Sequence, residues 1–147
     1  MERKLYWGMA LVSVIAITVS LLIFLDHSLN NANLNNVCSI TKTSCQSVQD
    51  SVYGRTFGIE NSILGITGFS LIMILVFLQL KFKYNLLKIM IILGSVIAGL
   101  MSLRFVYIQG FILREYCFYC LIVDLMGIVL LILGAFMVTK QVHIRIV

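Results

Sequence analysis

The chain has 147 residues, 61% of them hydrophobic and 12% charged, with no proline and a formal charge of +5. That balance lies outside the range of soluble domains and marks an integral membrane protein of a single domain, residues 1–147. The basic residues are sorted by membrane side and form no continuous stripe, which argues against nucleic acid as a partner.

Met1-Glu2-Arg3-Lys4 leads into an apolar run too long for a signal peptide and followed by no small-residue cleavage site. The run is therefore expected to be retained as span one, about 5–25. Its polar side chains, Ser13, Thr18 and Ser20, are hydroxyls that a helix satisfies against its own backbone. Residues 26–61 turn polar and form the sizeable loop, with an asparagine-rich stretch followed by Cys38, Cys45, Asp50, Arg55 and Glu60. Within it Val48, Val52 and Tyr53 suggest a short amphipathic helix at the interface, with Gly54 and Gly58 flanking the turn back into the bilayer. Span two, about 62–80, ends in the short turn at 81–85, so spans two and three are antiparallel neighbours. Span three covers about 86–106. Arg104 near its end either snorkels to the interface or serves the redox site. Span four is about 117–139, with a short tail after it. The fold class is thus an all-α membrane protein, a four-transmembrane-helix bundle capped by the 26–61 loop.

Arg3, Lys4, Lys81, Lys83, Lys88, Lys140 and Arg145 lie on the face that holds both termini, against Lys42, Arg55, Arg104 and Arg114 on the other. The excess of positive charge makes the termini cytoplasmic and the four cysteines extracytoplasmic. Disulfide chemistry persists in that compartment, so topology and cysteine usage agree.

Cys117-Phe118-Tyr119-Cys120 stands where a polar segment meets the last apolar run. At a helix N-terminus, unpaired backbone N–H groups and the dipole favour a thiolate. Leu121 occupies the place where a haem attachment motif needs His, and a zinc site would need two more ligands close by. Four cysteines allow three pairings. In a continuous helix Cys38 and Cys45 would be about 10 Å apart, beyond the disulfide limit of about 7 Å, so they pair only if the segment between them is not helical. Cys117 can pair with Cys120, and a loop folded over the bundle could bring Cys45 to Cys117. Two pairs able to exchange partners form a relay of electrons through mixed disulfides.

Within a bilayer the natural terminal acceptor is a lipid-soluble quinone. Asp124 follows Cys120 by four residues and Cys117 by seven, so the three share a helix face; an acid there is functional or makes an interhelical hydrogen bond. Asn61, at the mouth of span two, either donates to a carbonyl oxygen or caps the helix. Phe57, Phe69, Phe105, Phe111 and Tyr116 could supply aromatic walls.

The stretch from Cys38 to Gly65, with Ser51-Val52-Tyr53-Gly54-Arg55-Thr56-Phe57-Gly58 and Asn61-Ser62-Ile63-Leu64-Gly65, together with Cys117-x-x-Cys120 opening the last span, resembles the vitamin K epoxide reductase family over essentially the whole chain. The resemblance implies a four-helix bundle in which Cys38 and Cys45 are the shuttle pair and Cys117 and Cys120 the pair facing a quinone. It also implies that Ser51 is the loop serine preceding the aromatic-glycine motif and that Asn61 hydrogen-bonds the quinone. The activity implied is that of a thiol:quinone oxidoreductase supporting disulfide formation, with ubiquinone, menaquinone or vitamin K as substrate, vitamin K epoxide as a further one, and no metal. The chain departs from vertebrate members at Asp124, where they carry a quinone-contacting Tyr. No thioredoxin-like domain is expected in the chain, so the thiol partner is a separate thioredoxin-fold protein. The His143-Ile144-Arg145-Ile146-Val147 end carries no ER-retention signal, which favours a prokaryotic plasma membrane over an ER membrane with lumenal cysteines. Two other classes compete: a small four-span transporter with structural disulfides, in which Asp124 carries a proton, and a zinc site made from all four cysteines.

Overall fold

A computed structural model describes residues 2–30, 48, 51–56, 58–114 and 116–146. Four helices dominate: α1 (Glu2–Asn30), α2 (Asn61–Phe82), α3 (Asn85–Tyr107) and α4 (Phe118–Ile146). Each contains a stretch long and apolar enough to cross a membrane: Arg3–Leu25, Asn61–Phe82, Asn85–Leu113 and Phe118–Thr139. The chain is a multi-pass membrane protein. Its four spans follow the hydropathy pattern within a few residues, except at the end of the third.

Each helix packs on its sequence neighbours, and α1 meets α4, so the four contacts close a ring. The centre holds Met9, Ala16, Val76, Ile91 and Leu130, while Leu71, Leu93, Phe118 and Phe136 stand exposed on the outside. Apolar residues cover both the core and the surface because lipid, not water, is the solvent for the outer face. Two of the three hydroxyls of the first span, and Ser95 in the third, turn back on their own helix. Ser13 donates to the Met9 carbonyl at 2.9 Å, Thr18 to Val14 at 2.8 Å and Ser95 to Ile91 at 2.8 Å.

Between α3 and α4 the backbones come close. A Cβ on Gly99 would lie 2.5 Å from the Leu131 Cβ, and one on Gly134 would lie 3.0 Å from the Ser95 Cβ. Small residues thus form an antiparallel seam in which Ser95 faces Gly134, Gly99 faces Leu131 and Ser102 faces Gly127.

The turn between α2 and α3 is as short as expected. Lys83 adopts a left-handed conformation (φ 53) and its N–H donates to the Gln79 carbonyl at 3.0 Å, which closes α2 and lets α3 start at Asn85. Span three departs from its expected end at 106. The helix runs to Tyr107 and continues as a π-helical segment, Ile108–Leu113, until Arg114 (φ 52) turns the chain. Ile108, Phe111, Ile112 and Leu113 keep this stretch apolar enough to stay in the bilayer, and Gln109 is buried within the bundle.

Before α2 lies a single 3-10 turn, Val52–Gly54, and a two-stranded hairpin, β1 (Arg55–Thr56) and β2 (Ile59–Glu60), with Arg55 opposite Glu60. Gly58 at the hairpin turn has φ +80, a conformation that costs glycine little. The hairpin was not legible as strands, because two-residue strands carry no alternation. The first helix continues to Asn30, five residues into the expected 26–61 loop, and most of the remaining loop, with the rest of the asparagine-rich stretch and part of the expected interfacial helix, lies outside the described residues.

Candidate redox site

Cys117 stands immediately before α4, one residue earlier than a position inside the helix. Its carbonyl accepts the Leu121 N–H at 2.9 Å and its Sγ accepts the Cys120 N–H at 3.3 Å. The residue is therefore the N-cap of α4, with sulfur in the place that a serine or aspartate oxygen usually takes. An N–H aimed at Sγ, beside the positive end of the helix dipole, is the arrangement that stabilises a thiolate. Cys117 is fully buried and Cys120 half-buried.

Gln109 ties this helix start to Asp124. Its Oε1 accepts the Cys117 N–H at 3.2 Å, and its Nε2 donates to Asp124 Oδ2 at 3.2 Å. The Cys117 amide can only donate, so the oxygen of Gln109 must face it and the nitrogen must face the carboxyl. All three residues are buried, Asp124 being 5% exposed and Gln109 3%. The interhelical hydrogen bond anticipated for Asp124 is thus present, on the same helix face as the dithiol.

Ser51 and Asn61 belong to a second cluster. Ser51 donates to the Val48 carbonyl at 2.7 Å. Asn61 does not cap α2, since Glu60 holds the N-cap position and no side-chain cap bond is made. Instead its Nδ2 donates to the Tyr53 carbonyl at 2.8 Å and its Oδ1 accepts from the Thr56 hydroxyl at 2.7 Å, fastening the hairpin to the head of α2. The hairpin brings Thr56 back over the helix start, and so takes the amide away from the cap.

The aromatic residues are spread over separate environments. Phe69 is part of the bundle core beside Tyr6 and Met9, Phe105 is half-buried, and Phe111 is exposed and stacks on Tyr107 with centroids 5.0 Å apart. Tyr116 is exposed beside Gly110. Arg104 is exposed, as snorkelling requires. Cys38, Cys45 and Phe57 lie outside the described residues. Among the described residues no three His, Cys, Asp or Glu side chains gather where they could hold a metal ion.

Gln109 is the site residue that the motif search missed. A signal existed: Ser95, Ser102 and Gln109 are seven apart and so share one face of the third span, the face that meets α4.

A four-helix membrane bundle with a dithiol capping one helix, backed by a buried amide and carboxyl, defines a membrane-embedded redox protein. The model of the vitamin K epoxide reductase family matches residues 7–135, most of the chain, and the chain belongs to that family. Membership makes it a membrane thiol/quinone oxidoreductase with quinone as substrate and a thiol redox partner. No curated protein matches the chain.

Proposed function

We propose that the chain takes electrons from a thioredoxin-fold protein at Cys38 and Cys45, passes them to Cys117 and Cys120, and delivers them to a membrane quinone. The reaction supports disulfide formation outside the cytoplasm of a prokaryotic cell. The partner's two thiols close to a disulfide, and their two electrons and two protons leave as quinol by way of two thiol–disulfide exchanges. The observation that carries this reading is the Cys117 sulfur accepting the Cys120 N–H beside the buried Gln109–Asp124 pair. A dithiol so placed is ready to act as a nucleophile, and a two-electron, two-proton acceptor needs hydrogen-bonding groups next to it. Asp124 supplies a proton at its carboxyl.

We assign Asn61, Ser51 and Phe57 to the quinone side, as the resemblance of the sequence implies. One N–H of the Asn61 amide is engaged by Tyr53, and an amide nitrogen has a second to offer a carbonyl oxygen. Ser51 supports the turn that precedes the hairpin.

The test is turnover of the purified full chain in lipid nanodiscs with a reduced thioredoxin-fold protein and a short-chain quinone. One quinol should form for each partner disulfide. Oxidation of the partner without quinol, or neither product, overturns the proposal.

A further inference from the structure

We propose that Gln109 is the positioning residue of the reaction site, holding Asp124 and the start of the dithiol helix in one fixed relation so that the proton donor and the electron donor act together. This inference rests on the quinone-reducing role proposed above.

Three observations support it. Gln109 comes from a π-helical segment at the end of the third span, a rare geometry that is frequent at functional sites. It is buried, yet both ends of its side chain are used, one on the Cys117 backbone and the other on Asp124 Oδ2. The polarity of the amide is set by the Cys117 N–H, so Asp124 always meets a donor at Oδ2, which leaves Oδ1 as the atom for proton transfer. An apolar side chain here would fill the space but would leave the Cys117 N–H and the carboxyl without this partner, at the cost expected for buried polar groups.

The Cys117 and Cys120 thiols lose two electrons and two protons as the S–S bond forms, and a quinone is reduced to quinol. Asp124 hands one proton to one quinol oxygen and recovers one from the dithiol, and the second dithiol proton goes to the other quinol oxygen. Gln109 neither gains nor loses a proton and touches no reacting atom.

The experiment separates the two half-reactions of the full chain in nanodiscs. Oxidation of the reduced protein by a short-chain quinone is followed by stopped flow, and reduction of the oxidised protein by a small dithiol is followed by thiol release. Gln109→Met, close in volume, should slow the quinone half-reaction by about tenfold to a hundredfold. Its dithiol half-reaction should slow by a clearly smaller factor, since that step feels only the lost Cys117 contact and does not draw on Asp124. Gln109→Glu keeps an acceptor for the Cys117 N–H but loses the amide donor, and should show the same split if Gln109→Met does not fold. Adding either Gln109 change to Asp124→Asn should slow the quinone step little beyond Asp124→Asn alone, because a residue that acts through Asp124 has nothing left to position. Equal slowing of both half-reactions, additive losses, or an unchanged quinone step overturns the positioning role while leaving the proposed function intact. Unmodified protein that reduces no quinone would instead overturn the proposed function, and this inference with it.

Discussion

At the scale of the residue, Asp124 is the one charge between Leu121 and Val138, and it is buried against Gln109. If it delivers a proton, Asp124→Asn should preserve quinone binding, because the amide keeps the shape and can still accept from Gln109. It should also slow quinone reduction by about a hundredfold or more, the usual loss of a general acid. Asp124→Leu should weaken both, read as quinone affinity by fluorescence titration and as quinol formation by absorbance. A leucine variant that turns over at the unmodified rate while melting lower would make Asp124 an interhelical hydrogen-bonder only. The proposed division of labour between the cysteines can also be measured. Cys38→Ala should lose turnover with a protein thiol yet keep activity with a small dithiol that reduces the Cys117–Cys120 pair directly, whereas Cys117→Ala and Cys120→Ala should lose both. Equal loss for all three with the small dithiol would argue against a shuttle.

At the scale of the element, the seam between α3 and α4 fixes the helix that carries the dithiol. A Cβ on Gly99 would meet the Leu131 Cβ, which cannot swing aside as the tip of a long side chain can, whereas a Cβ on Gly68 meets nothing within 4 Å. Gly99→Ala should therefore destabilise the bundle by about 1–3 kcal/mol, and Gly68→Ala, which gains helix propensity and costs no packing, should not. Melting of the two variants in the same detergent checks the contrast; equal behaviour would mean the seam relaxes freely. The four spans were legible because a bilayer demands long apolar runs whatever the tertiary detail. The dithiol and Asp124 were legible because their residue types are rare in that setting. Gln109 was not, since a polar residue next to Gly110 at the end of a span reads as the start of a loop. The seven-residue spacing from Ser95 and Ser102 hints at its face, and the π-helical continuation keeps it inside. Asn61 was misread as a candidate helix cap for the reverse reason, as the hairpin that claims its amide is too short to leave a pattern.

At the scale of the whole molecule, topology decides whether a relay can work at all. The ring of four spans places both chain ends and the Lys83 turn on one side, and the Cys117 helix start and the hairpin before α2 on the other. Among the described residues seven Lys and Arg fall on the first side, Arg3, Lys4, Lys81, Lys83, Lys88, Lys140 and Arg145, and three on the second, Arg55, Arg104 and Arg114. If that bias orients the chain as it does in other membrane proteins, the first face is cytoplasmic and Cys117 and Cys120 face the compartment where a partner disulfide survives, an expectation that labelling tests. In intact cells, after mild reduction, a membrane-impermeant thiol reagent should label the protein from outside and not from the cytoplasmic side of inverted vesicles. Within the C-x-x-C pair, half-buried Cys120 should react before fully buried Cys117, because the reagent must reach the sulfur before thiolate character can matter. Mass spectrometry of the alkylated peptides reads both the side and the order. Labelling from the cytoplasmic side alone would sink the relay, since a partner outside the cytoplasm could not touch either pair.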